Sequence, residues 1–286
     1  MNRLALRQAV GDVLYRAGRQ RPPAGTLTVL MYHAVTAEPL HDRGQASVPA
    51  PLFEEQMMRV RRLGMELVPL TDGVARIAGG CATPLASVVF DDGYVGVHDQ
   101  ALEILRRHHI PATLFVTTQW IGRPAFPWAP PELGRPLTWD EVARLVGEAG
   151  CDLGSHTHTH RVLTALTPDD VHQELRTARA IIRERLGMTP TTFAYPYGTY
   201  GTFNASTRQA LIEEGVAVAC ANVWGRFERG DDPWSIKRIR VSWCDSAQEL
   251  QKSLAGCYDW YRFVQRRQTT ARPIECSGAA EECLVS

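Results

Sequence analysis

The chain has 286 residues, 44% of them hydrophobic and 22% charged, with 31 basic residues balancing 31 acidic ones. That length suits one large α/β domain or two smaller ones, and a formal charge of zero argues against a nucleic-acid surface. No apolar run approaches the length of a membrane span.

Residues 1–24 carry five arginines against the single Asp12. Leu6, Val10, Val13, Leu14 and Ala17 recur at helical spacing, which predicts a basic amphipathic helix. Such a helix packs on the outside of a domain or lies on a membrane surface. The stretch lacks the apolar core and small-residue cleavage site of a secretory signal. A cytoplasmic location is therefore expected, peripheral at the inner membrane face if the helix binds there. The seven cysteines are scattered and form no C-x-x-C pair, which fits reduced thiols.

Beyond that helix, strand-like and helix-like runs alternate. In chain order they are a strand over 27–32, a helix over 53–63, a strand over 85–90 and a helix over 97–108. There follow a strand over 112–117, a helix over 139–148, a strand over 151–154 and a helix over 168–186. The remainder reads as a strand over 191–195, a helix over 205–214, strands over 216–220 and 238–241, and a helix over 247–263. Thr138 and Thr167 look like helix starts, and Gly150, Gly187 and Gly215 like left-handed stops. Residues 266–286 are short of apolar residues and predict a loose tail. Alternating strands and helices imply a mainly parallel sheet. Short buried strands in this number favour closure into a (β/α) barrel over an open doubly wound sheet, as a single domain over 25–265.

The polar residues that invite chemistry fall where strands end. Tyr32-His33 closes the first strand, Asp91-Asp92 the second, Ser155-His156 the fourth and Pro196-Tyr197-Gly198 the fifth. In a parallel barrel all these ends open on one face. Asp91 and Asp92 follow the apolar run Leu85 to Phe90 and are costly to bury without a cation. With Gly93 permitting a turn, one carboxylate reaches a metal while the other faces a substrate. His156 and His160, in His156-Thr157-His158-Thr159-His160, offer two imidazoles to one ion, whereas His158 points elsewhere. Two histidines with one carboxylate make a half-open metal site, and a spare carboxylate beside it makes a base. The combination suggests a metal-dependent hydrolase.

Three ordered motifs, Phe90-Asp91-Asp92-Gly93, His156 to His160, and Phe193-Ala194-Tyr195-Pro196-Tyr197-Gly198, resemble those of the polysaccharide deacetylases, the NodB-homology carbohydrate esterases of family 4. The resemblance spans roughly residues 28–241. It implies a distorted (β/α) barrel and metal-dependent N-deacetylation of an N-acetylated sugar in a polysaccharide or glycan precursor. It also implies that Asp91 is the general base, that Asp92, His156 and His160 hold the metal, and that the Tyr197 backbone N–H faces the oxyanion. Pro196 and Tyr197 would shape the pocket wall. An amide carbonyl is a poor electrophile, so a Lewis acid suits the task, with zinc first and cobalt, nickel, manganese or iron also fitting.

The chain departs from the family pattern twice. Ala194 stands where an arginine usually steadies the base, and Arg238 is the candidate replacement. No histidine occurs after His172, so the usual late Leu-x-His motif that supplies the acid is missing. Met31-Tyr32-His33 resembles a branch in which a Tyr-His dipeptide on the first strand carries that acid. His33 is then expected to be the acid, held by Asp232 or Asp245. Trp224, after a strand on the same face, is a candidate pocket wall, and Trp120, Phe126, Trp128 and Trp139 could stack on sugar rings. The expected partner is an N-acetylated carbohydrate, lipid-linked or nucleotide-linked. The alternatives are an N-deformylase of a lipid-linked amino sugar and a non-catalytic glycan-binding module of deacetylase shape.

Overall fold

The apolar runs that alternate with helices become strands buried along nearly their whole length, as a parallel sheet wrapped by helices requires. The computed structural model describes residues 3–265, so the tail predicted for 266–286 lies outside the described residues. In chain order the elements are α1 (Arg3–Arg16), β1 (Thr26–Tyr32), β2 (Ala34–Thr36), β3 (Ser47–Pro49), α2 (Ala50–Arg62), β4 (Glu66–Leu67) and α3 (Leu70–Ala78). Next come β5 (Leu85–Phe90), a π-turn (Val97–Ala101), α4 (Leu102–Arg107), β6 (Ala112–Val116), α5 (Trp139–Ala149) and β7 (Asp152–Ser155). The last are α6 (Pro168–Leu186), β8 (Thr192–Ala194), α7 (Ala205–Glu213), β9 (Val218–Trp224), β10 (Phe227–Glu228), β11 (Ile236–Arg240) and α8 (Ala247–Leu254).

Seven parallel strands close on themselves in the order β1-β11-β9-β8-β7-β6-β5, and β5 returns to β1 along six residue pairs from Leu27↔Leu85 to Tyr32↔Phe90. The barrel expected from the sequence is thus the fold. Alternate residues serve its two faces. Val29, Met31, Val89, Phe115, Ala194, Cys220 and Ile236 come from six strands and meet in one cluster, which only the inside of a closed ring allows. Leu30, Tyr32, Val88, Phe90 and Ile239 face outward, under Phe53, Met57 and Val60 of α2 and Leu250 and Leu254 of α8.

Several elements differ from expectation. Helix α3 was not foreseen because Gly73 interrupts it. Gly73 is needed there, since a Cβ would stand 2.8 Å from a Leu27 methyl where the helix presses on β1. The predicted 247–263 helix stops at Leu254. Gly256 takes a left-handed φ of +81°, and the buried Arg226 guanidinium donates to the last carbonyls, Ser253 and Leu254. Residues 255–260 then turn before the chain becomes helical again over 261–265.

Helix α1 forms, but its apolar stripe is not its inner face. Leu6 and Val13 are 46% and 65% exposed. The side that meets the barrel carries Arg7, Gly11 and Tyr15. The Arg7 guanidinium lies 4.9 Å from the Trp224 ring centroid and 4.6 Å from that of Tyr258, and it pairs with Asp245 at 3.3 Å. Gly11 abuts the Tyr258 ring with no room for a Cβ. Lys252 reaches Asp12, and Gln251 donates to the Tyr15 hydroxyl at 2.5 Å. Polar anchors won over the hydrophobic stripe because α8 offers Lys252 and Gln251 there, with Trp224 of β9 and Tyr258 of the following turn beside them. Among the described residues no helix is long and apolar enough to cross a membrane, and the five described cysteines are free.

Candidate metal centre and active site

Asp91 and Asp92 leave the end of β5, where the Asp91 N–H still donates to Tyr32 at 2.9 Å and the chain then swings into a left-handed turn. Asp92 has φ +70° and Gly93 +95°, which sends the two carboxylates in different directions. Asp91 turns to β11, where Arg238 Nη1 donates to its Oδ1 at 2.8 Å and Arg238 Nε donates to the Ala221 carbonyl at 2.9 Å. Both members of this ion pair are buried. Asp92 turns to the loop after β7: its Oδ1 lies 3.5 Å from His156 Nε2 and 3.4 Å from His160 Nε2. All three ligand atoms lie within 4.8 Å of one another.

The two imidazoles are aimed by what holds their other faces. His156 Nδ1 is 2.7 Å from the Ala194 carbonyl, so it carries the proton and leaves Nε2 free to ligate. His160 stacks on Trp128 at 4.2 Å between centroids and lies 5.0 Å from the Tyr197 ring. Trp120 and Phe126 back Trp128, while Trp139 packs instead against the outer core. The loop between the histidines is tightly wound, with Thr157 and His160 at φ +69° and +66°. Glu174 of α6 fixes it, accepting from the His158 and Thr159 backbone N–H groups at 3.0 and 2.8 Å and from the Thr159 hydroxyl at 2.7 Å. His158 points away, to the Thr118 hydroxyl at 2.9 Å. Asp92, Thr157, His160 and Tyr197 all hold positive φ, so the backbone strain of the described residues is concentrated at this pocket.

Electrostatics make the set receptive to a cation. Burial, and then the adjacent Asp91 charge, push the Asp92 carboxyl up to about 8. Burial would raise Asp91 too, but Arg238 and His156 bring it down to about 2. Burial lowers both His156 and His160, which keeps them neutral as ligation requires. A buried carboxyl that resists ionising beside two neutral imidazoles is a donor set that a divalent cation completes, so these residues fit the metal expected from the motifs.

His33 is brought into this pocket, where its ring feels the charges of Asp91, Arg240 and Arg238. Burial drives it down to about 3, and its Nδ1 has no hydrogen-bond partner. The carboxylates expected to hold it are elsewhere: Asp245 accepts from Ser242 and pairs with Arg7, and Asp232 pairs with Arg208. Trp224 is not in the pocket either. It belongs to β9, four residues beyond the expected strand end, and packs against Tyr258 at 6.3 Å, Tyr261 at 5.9 Å and Arg7. Pro196 is buried, and Gly198 lies so close to Asn222 that a Cβ would stand 2.6 Å from its backbone nitrogen. Glu174 was missed, although a signal existed. It sits on the apolar stripe Val171, Leu175, Ala178, Ile182 of α6, where a carboxylate is out of place unless it has work to do.

With the geometry in place, residues 81–219 match the model of the family described as polysaccharide deacetylase. The Bacillus subtilis (strain 168) protein YxkH is 23% identical over 218 residues, 76% of this chain and 71% of YxkH. The chitooligosaccharide deacetylase of Bradyrhizobium sp. (strain ANU 289) is 29% identical over 137 residues, 47% of this chain and 56% of that protein. In fold, the chain is similar to the Streptococcus pyogenes deacetylase PplD solved in complex with acetate, with a TM-score of 0.69 at 20% identity, covering 80% of this chain and 98% of PplD.

Proposed function

We propose that the chain, whose residues 81–219 match the polysaccharide deacetylase family model, is a hydrolase of that family that removes N-acetyl groups from an N-acetylated sugar, with a divalent cation held by Asp92, His156 and His160. The observation that carries this reading is the meeting of three ligand atoms within 4.8 Å beside a second carboxylate that has its own cation in Arg238. Zinc suits the mixed nitrogen and oxygen donors best. Bound there, it supplies Lewis acidity toward an amide carbonyl and lowers the pKa of water.

The remaining steps belong to the chain. Asp91, held ionised by Arg238, accepts the proton of the attacking water. His33 returns a proton to the leaving amine. Its burial keeps the resting ring neutral, so the proton it delivers to the amine is the one Asp91 removed from the water, which His33 takes up as negative charge develops on the substrate beside it. The Tyr197 N–H faces the oxyanion, and Pro196 with Tyr197 borders the acyl group. The substrate is a glycan precursor, lipid-linked or nucleotide-linked, met on the cytoplasmic side. Outward-facing Leu6 and Val13 beside the exposed Arg16 support a peripheral membrane contact through α1.

Acetate release from N-acetylhexosamine oligomers, polyprenyl-linked sugars and nucleotide sugars, before and after chelation, tests the reading. Activity should vanish with chelator and return with zinc. Asp92→Ala should lose metal and turnover while keeping its circular dichroism, and Asp91→Asn should keep metal while losing roughly 10²–10⁴-fold in rate. Turnover indifferent to both chelation and Asp92→Ala would overturn it. Formate in place of acetate would make the enzyme the N-deformylase instead.

A further inference from the structure

Strand β11 ends on a second arginine. Arg238 and Arg240 are two residues apart, so their side chains leave the strand on the same side, and Arg238 points at Asp91. Arg240 is one step nearer the C-terminal end, in register with Met31 of β1, which puts it at the mouth of the barrel near His33. Its charge acts on His33, Asp91 and Asp92.

What distinguishes Arg240 is the lack of an anion of its own. Among the described residues no carboxylate forms an ion pair with it. Its Nη2 donates to the Gly44 carbonyl, and its Nε is buried with no partner. The acidic residues whose fields reach it are already engaged. Asp42 accepts from the Ala46 and Ser47 N–H groups at 2.7 and 3.1 Å and from the Ser47 hydroxyl at 2.5 Å. Asp245 accepts from the Ser242 N–H at 3.0 Å and pairs with Arg7, and Asp91 belongs to Arg238. Asp42 keeps its charge, since its N–H and hydroxyl donors are neutral, but it makes no ion pair with Arg240, and a largely desolvated guanidinium with no carboxylate in contact is costly. Asp91 and Arg238 cancel, so with a divalent cation on Asp92 the pocket is positively charged overall.

We propose that Arg240 is a specificity-determining residue that receives an oxyanion carried by the substrate. The preferred substrate is then an anionic N-acetylated sugar, a phosphate ester or a uronate-containing unit, and not a neutral glycan. A planar guanidinium with an unused Nε–H matches the paired oxygens of either group. This deepens the deacetylase reading and rests on it.

Binding by calorimetry in the His33→Gln background, which leaves the Asp91–Arg238 pair intact, separates recognition from turnover. The probes are N-acetylglucosamine 1-phosphate, a glucuronate–N-acetylglucosamine disaccharide and the neutral methyl glycoside of N-acetylglucosamine, each with metal-loaded and with chelated protein. At least one anionic probe should bind about 10–100-fold more tightly than the methyl glycoside, the span of one charge-assisted hydrogen-bonded contact, and the phosphate and uronate arms show which oxyanion is meant. Arg240→Gln should bring that probe down to the neutral level, and Arg240→Lys should keep part of the preference. The assignment is overturned if no probe is preferred or if the preference survives Arg240→Gln. It is also overturned if the preference disappears on chelation, since the anion would then sit on the metal. Acetate release, measured separately with His33 intact, tests the deacetylase reading on its own.

Discussion

Asp91 and Asp92 are joined by one peptide bond and meet opposite environments. Asp91 is held ionised by a buried guanidinium, while Asp92 is pushed toward neutrality by burial and by its neighbour. The pair, with His156 and His160, was legible because Asp91 and His156 directly follow buried strands, and a parallel barrel gathers strand ends and the loops that leave them. Arg238 was legible by a different route, since a buried carboxylate needs a cation and Ala194 cannot supply one. Removing that cation should be felt in the fold as well as in the chemistry. Arg238→Gln should cost about 3–5 kcal/mol, as breaking a buried pair leaves an uncompensated charge, and should abolish acetate release while zinc still binds. Urea denaturation checks the first effect and metal analysis the second. Stability equal to the parent's would mean that Arg240 has taken over Asp91. The partner of His33 was not legible, because which carboxylate approaches a side chain depends on loops that periodicity does not describe.

Helices were readable where their ends announce themselves. Thr138 accepts from the Glu141 N–H at 3.3 Å while Glu141 accepts from the Thr138 N–H at 2.8 Å, and Gly150 closes α5 at φ +65°. Helix α3 was unreadable because Gly73 serves a close approach to β1, a reason that exists only in three dimensions. Trp224 was misread because the end of β9 was set by its pairing with β11 and not by the apolar run. The α5 start also carries a pH signature. A hydrogen bond from Arg135 brings Glu141 down to about 2 from its usual 4.5. A carboxyl depressed in the folded state contributes stability above its unfolded pKa and loses it as pH falls through the folded one. The urea midpoint of the parent should therefore exceed that of Glu141→Gln most above pH 4.5, with the gap closing toward pH 2. Thr138→Ala should cost about 1 kcal/mol at neutral pH. A gap independent of pH would show that Glu141 contributes by shape and not by charge.

At the scale of the molecule, β1 is the strand on which the ring closes, with β5 on one side and β11 on the other. A chain ending at residue 235 should consequently be insoluble or unfolded, since β1 and β9 would both present open edges. Recovery of a soluble, cooperatively melting fragment would show that the ring is dispensable for folding. The same topology sets an order of events during synthesis. The chain leaves the ribosome from its N-terminus, so β1 waits, half-partnered, while about two hundred residues follow. Because Arg238 rides on the strand that shuts the ring, Asp91 gains its counter-ion only at that moment. A nascent or C-terminally clipped chain would carry both aspartates and both histidines and still lack the guanidinium that pairs with Asp91.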